Sequence, residues 1–282
     1  MDTTDCQEHF TREVPRIALS SPILLNACLA FAARNLARVS GYNPEAAEYF
    51  HSACIELLIP ALSDQTSAAD PDLLAATVIL RIYEQLNATG DDERHLWGTT
   101  ALVDLQPHHN APTAGGIRQA AFWVFIRQDI YMALVQQRPM GCNMEGFNVQ
   151  VTYEAKDDAT WANWAIWICG LIINYCFGPG EKTWETWQHL NSMMDTWELR
   201  KPQAFVPYFY KERSELDKQY FPIMYFFNRI HSISLSRQLM KSLGVSISTS
   251  DVHCWPSMTQ GTIPCKSAWS CKEHNDNYKK RC

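Results

Sequence analysis

The run "GDDERH", residues 90–95, crowds Asp91, Asp92, Glu93 and His95 into one short stretch. Carboxylates placed one helical turn apart can hold Mg²⁺ ions that bridge a diphosphate. Here the acids are consecutive instead, and His95 stands where a further carboxylate would be required. No second Asn/Ser/Glu metal motif follows. An acidic first turn of a helix explains the same residues, because negative charge there complements the helix dipole. His108 and His109 lie in the loop "QPHHNAPTAGG" with no ligand at helical spacing. His253, Cys254, Cys265, Cys271, His274 and Cys282 are metal-capable, yet they lack the paired C-x₂-C spacing that marks a zinc site. No nucleophile elbow, phosphate-binding loop, H-E-x-x-H or glycine-rich dinucleotide loop is present. The sequence therefore assigns no catalytic residue, no cofactor-binding residue and no metal ligand.

A different constellation concerns charge inside apolar sequence. "ILRIYEQL" embeds Arg81 and Glu84, three apart and mutually reachable on a helix. "AFWVFIRQDIYMAL" embeds Arg127 and Asp129, which are two apart and cannot face each other along a helix. Each of that second pair needs a partner elsewhere, since buried charges are paired. Arg81, Glu84, Arg127 and Asp129 are thus the candidate buried polar network, with lining of an effector pocket as its functional reading.

The elements that must position these residues are helical. Ser21-Pro22, Asn43-Pro44 and Asp70-Pro71 each supply a capping side chain followed by a Pro at the first helical position. The segments they open repeat Ala and Leu at helical spacing: Leu25, Leu29, Ala32, Ala33 and Leu36 in the first, Leu73, Ala76, Thr77, Leu80, Tyr83 and Glu84 in the third. Pro60 is placed to kink or end the second. A fourth helix is expected from Asp91 to about Leu105. The stretch "GGIRQAAFWVFIRQDIYMALVQQRPM", residues 115–140, is too short between its charges to span a bilayer. Its apolar run, hydrophobic all round, predicts a core helix surrounded by other helices. "TWANWAIWICGLIINYCF" predicts a buried helix closed by Gly178-Pro179. "TWETWQHLNSMMDTWELRKP" predicts an amphipathic one with Trp184, Trp187, Leu190, Met194 and Trp197 on one face. A last helix is expected from "IMYFFNRIHSISLSRQLMKSL", ending near Leu243, and no strand pattern of comparable length emerges. The expectation is an all-α, multi-helix bundle-like domain over 15–244, preceded by an N-terminal tail at 1–14. Residues 245–282 contain no Leu and crowd four cysteines. They read as an irregular Cys-rich tail, or as the product of a mispredicted gene end.

Composition narrows the class. The chain has 282 residues, 46% of them hydrophobic and 19% charged, ample for a packed core. Its net charge of −6 gives no general attraction to a phosphate backbone, so no direct nucleic-acid binding is expected from this chain alone. The first residues lack a basic region followed by an apolar run, so no secretory signal is expected, and the shortness of the uncharged run in 115–140 leads to the expectation of no membrane partner. Cys6, Cys28, Cys54, Cys142, Cys169 and Cys176 lie mostly inside apolar runs and read as reduced core residues.

The succession "PILLNACLAFAARNLARVSGYNPEAAEYFHSACIELLIPAL", "LLAATVILRIYEQL", "DDERHLWGTTALV", "GGIRQAAFWVFIRQDIYMALVQQRP" and "WANWAIWICGLIINYCF" resembles the regulatory domain of fungal zinc-cluster transcription factors. The resemblance spans roughly residues 15–240. It implies a non-enzymatic helical domain of a nuclear protein that modulates transcription through protein partners or a small-molecule effector. In that family an N-terminal module of six cysteines and two zinc ions reads DNA. Here only Cys6 precedes Cys28, so that module is missing and a related DNA-binding factor is the implied partner. The alternative reading is an all-α, isoprenoid-type Mg²⁺-dependent enzyme using Asp91, Asp92 and Glu93.

Overall fold

The computed structural model describes residues 1–63, 70–86, 93–104, 110–155, 157–214, 219 and 222–235. The chain divides into one unit at Met1–Ser234 and a second at Leu235–Cys282. Nearly all of the second, including the Cys-rich 245–282 segment, lies outside the described residues, as do His108 and His109.

Two single-turn helices, α1 (His9–Arg12) and α2 (Val14–Ile17), precede the longer ones. Next come α3 (Pro22–Ser40), α4 (Pro44–Ser63) and α5 (Pro71–Gln85), each starting at the Pro expected to open it. Two of the three capping side chains bond as anticipated. Asp70 accepts the Asp72 N–H at 2.9 Å, and Asn43 accepts that of Glu45 at 2.9 Å. Ser21 makes no such bond. Helix α4 runs through Pro60 instead of ending there. The bond that Pro60 forfeits belongs to the carbonyl of Glu56, and both residues are exposed, so water can replace it.

Helix α3 corrects one sequence expectation. The face it buries carries Leu24, Ala27, Ala30 and Ala33, against α4 and α5. Leu29 and Leu36 of the stripe read from the sequence are exposed. Small residues on the buried face let the neighbouring backbones approach closely, and that packing overrides the count of leucines.

Helix α6 is Arg94–Asp104, later than expected; Glu93 precedes it in the left-handed region at φ 55°. Asp91 and Asp92 lie outside the described residues. Helix α7 (Gly116–Gln136) buries Phe122, Trp123, Val124, Phe125 and Ile126 in succession. It packs against α5, α6, α8 and α1 and is the central core helix. Each such side chain contributes about 1.5–3 kcal/mol by leaving water. Among the described residues no helix is long and apolar enough to cross a membrane.

Helix α8 (Asp158–Phe177) starts at an Asp157 cap, and α9 (Trp184–Arg200) starts at a Thr183 cap. Trp187, Leu190, Met194 and Trp197 of α9 are buried, and the indole N–H of Trp197 donates to the Trp161 carbonyl at 2.8 Å. The expected final helix is not what forms. Ile223–Tyr225 is a strand, β2, paired antiparallel with β1 (Phe209–Lys211), and Arg229–Leu235 is a 3₁₀ helix. Aromatic residues favour this pleated pairing, with Phe209 and Tyr225 rings 5.3 Å apart across it. The rest of the expected helix lies outside the described residues. The architecture is mainly helical, with one short hairpin.

Candidate functional site

The four charged residues singled out in the sequence do fall on α5 and α7, but they do not form one network. Arg81 is fully buried, and its guanidinium meets the Glu84 carboxylate at 3.2 Å. Glu84 also accepts the backbone N–H groups of Arg94 at 2.8 Å and His95 at 3.3 Å. A carboxylate from α5 thereby caps the start of α6, where free N–H groups and the dipole favour an anion.

Asp129 is likewise fully buried. It accepts from the Arg138 guanidinium at 3.0 Å and from the Gly141 and Cys142 N–H groups at 2.7 and 3.4 Å. Burial pushes its carboxyl pKa upward, against the pull of Arg138 and those N–H donors. Arg138 also approaches Glu93 at 3.7 Å, and Glu93 accepts from the Gln136 side chain. Glu93 therefore faces a cation and an amide rather than open solvent. Glu84 and Glu93 flank the start of α6, so Arg81, Glu84, Glu93, Arg138 and Asp129 form a seam joining α5, α6 and α7.

Beside the seam, His51 and His95 meet through their Nε2 atoms at 3.0 Å, one ring donating and the other accepting. His51 stacks on Tyr83 at 4.6 Å, and the Tyr83 hydroxyl donates to Glu48 at 3.1 Å. Burial, then His51, Arg81 and Arg94, lowers the His95 pKa to about 4. Both imidazoles are neutral at pH 7.

Arg127 takes the other side of α7. Its guanidinium donates to the Thr4 hydroxyl and the Met1 carbonyl, each at 2.7 Å. Arg229 adds bonds to the Asp2 carbonyl and the Glu8 carboxylate, each at 2.9 Å. Residues 1–14, expected as a tail, are therefore packed and clasped. The Asp2 carboxylate accepts the N–H groups of Phe10 and Thr11, and Asp5 accepts those of Gln7 and His9, so the segment closes on itself. Among the described residues no carboxylate forms an ion pair with Arg127. Burial lowers its pKa to about 10, with Asp2 and Asp5 opposing from longer range.

Beneath this segment lies a cavity of about 270 Å³, lined by Phe10, Gln119, Trp123, Arg127, Thr160 and Asn163 among others. Asn163 is buried, and its Oδ1 has no hydrogen-bond partner. Arg138 and Glu93 join the polar network although the sequence pointed to neither as a member, and Asn163 was not singled out at all. Arg138 follows α7 within the same charged stretch and was a legible signal; Asn163 carried none.

The cysteines divide by position. Cys54, Cys142 and Cys169 are buried, while Cys6, expected in the core, is exposed. Burial pushes the Cys54 and Cys169 thiols up to about 12 and leaves them unreactive. Among the described residues no group of three or more His, Cys, Asp or Glu side chains could hold a metal ion.

Residues 2–131 match the fungal specific transcription factor domain. The match runs from the clasped segment through most of α7. No curated protein and no solved structure matches the chain.

Proposed function

We propose that this chain is the regulatory portion of a nuclear fungal transcription regulator, changing transcriptional output when a protein partner or a small-molecule effector occupies it. The observation that carries the reading is the transcription-factor domain over residues 2–131. The clasp supplies a means. Residues 1–12 rest on α7 through Arg127 and on Arg229, over a cavity, so occupancy there bears directly on how the segment is held. Binding that favours one arrangement of a segment shifts its population by the difference in affinity.

With a net charge of −6, DNA is read by a related factor with its own basic surface, not by this chain. The regulatory unit of this proposal runs to about Gly244, and 245–282 lies outside it. The test is a reporter assay with the full chain fused to a heterologous DNA-binding domain, alongside capture of zinc-cluster proteins from nuclear extract. A change in reporter output that Arg127→Met alters is the expected result. Output equal to the DNA-binding domain alone, without nuclear accumulation of the tagged chain, defeats the proposal.

The Mg²⁺-enzyme alternative lacks comparable support. Asp91 and Asp92 lie outside the described residues, and Glu93 is committed to Gln136 and Arg138.

A further inference from the structure

We propose that the cavity between the N-terminal segment, α7 and the first turns of α8 binds a small organic carboxylate: its anionic group pairs with Arg127, and an O–H or N–H elsewhere on it donates to Asn163 Oδ1. The inference deepens the effector reading above and rests on it only for its biological consequence.

Two polar groups in the cavity wall are incompletely served by the protein. The Arg127 guanidinium meets neutral oxygens only, those of Thr4 and Met1. Asn163 is 6% exposed, and its Oδ1 accepts nothing. Buried polar groups in native proteins are almost always hydrogen-bonded, so an acceptor left open on a cavity is a place for a ligand donor.

The carboxylates in the same wall differ. Asp2 Oδ1 accepts the Phe10 N–H at 2.9 Å, and its Oδ2 accepts the Thr11 N–H and hydroxyl at 2.9 and 2.6 Å. Asp5 accepts the N–H groups of Gln7 and His9 and faces His9 Nδ1 at 2.8 Å. Asp157 accepts the Thr160 N–H and hydroxyl at 2.8 and 2.9 Å. Each acidic oxygen is thus engaged by the chain's own donors, and the cation is the charge without an ionic partner. That selects an anionic ligand over a cationic one.

Size and lining select its body. About 270 Å³ admits a compact molecule of roughly ten heavy atoms. Phe10, Trp123, Ala120 and Ala159 offer apolar and aromatic faces, which suit a flat ring better than a bare phosphate. A guanidinium fork matches a planar carboxylate by two parallel bonds. The lowered pKa of Arg127, caused by burial, is relieved by an anion at that position.

The test is isothermal titration of the purified full chain with 4-hydroxybenzoate, 4-hydroxyphenylacetate, benzoate, phenol and inorganic phosphate. Saturable one-site binding of a hydroxylated carboxylate is expected, with benzoate about tenfold weaker for want of the Asn163 bond. Phenol is expected to be weaker by about a hundredfold. Asn163→Leu should erase the advantage over benzoate. Arg127→Lys should weaken binding about tenfold and Arg127→Gln more. Ala159→Trp puts a bulky ring into the cavity lining and should abolish binding while circular dichroism stays native.

Absence of saturable binding by either hydroxylated carboxylate to the folded wild type overturns the proposal. So does equal binding of phenol, phosphate binding in their place, or affinity unchanged in Arg127→Gln and Ala159→Trp. None of these readouts involves transcription. Binding without any reporter response would leave the site standing and remove the regulatory reading.

Discussion

Arg127 and Asp129 lie two residues apart on α7, yet one ends in a closed ion-paired seam and the other in an open clasp. Asp129 has Arg138 and two backbone N–H groups around it. Arg127 has two neutral oxygens and a cavity. The same helix therefore presents a satisfied charge to the segment that follows it and an incompletely satisfied one to the N-terminal segment. A filled network holds helices in one arrangement, whereas an unfilled one leaves interaction energy for a ligand. The seam carries the fold, and the clasp is where we propose recognition.

That contrast can be broken most forcefully at the seam. Asp129→Ala leaves Arg138 and the N–H groups of Gly141 and Cys142 without their acceptor. It should cost about 3–5 kcal/mol in urea denaturation, as removing one partner of a buried pair does. A loss below about 1 kcal/mol would show that water reaches these groups and that the seam is not closed.

Acid provides a second lever at the same side. The folded His95 pKa of about 4 lies below its ordinary 6.5. The unfolded chain thus takes up a proton first as pH falls. Stability from this group is complete above pH 6.5 and declines between 6.5 and about 4, by roughly 3 kcal/mol. His95→Gln should flatten that part of the stability profile. An unchanged slope would assign the acid sensitivity to carboxylates alone.

At the clasp the expected effect is smaller. Arg127→Met forfeits two neutral hydrogen bonds but also removes a half-buried cation without an ionic partner among the described residues, so global stability should fall by about 1 kcal/mol or less. Amide exchange of residues 1–12 should nevertheless speed up markedly while α5 and α7 stay protected. A global loss matching that of Asp129→Ala would abolish the distinction between the two regions. Least of all should come from Cys6→Ser, an exposed position where a change within about 0.5 kcal/mol is expected by thermal melting. Residues 1–244 should likewise melt where the full chain does; a less stable truncation would make the Cys-rich segment part of the unit.

Much of the scaffold was readable from local signals. The cap-and-Pro starts of α3, α4 and α5 depend on residues adjacent in sequence, and so does the apolar run that makes α7 a core helix. The Arg81–Glu84 pair was legible for the same reason, because a helix brings residues three apart together. The β1–β2 hairpin was not. Ile223, Met224 and Tyr225 suit a helix or a strand, and pairing with Phe209–Lys211 decided between them. The exposed face of α3 was misread because a leucine stripe and an alanine stripe run along the same helix, and only its neighbours choose which is buried.

By itself the sequence determined a helical domain, a core helix in α7, and the rule that Arg127 and Asp129 must find separate partners. The tertiary structure decided who those partners are. Asp129 found Arg138 beyond the helix end, while Arg127 found Thr4 and Met1 more than a hundred positions away. Helical periodicity fixes which side chains share a face and is therefore written locally. The identity of what lies opposite a face depends on how distant segments close on one another, and no local pattern encodes that closure.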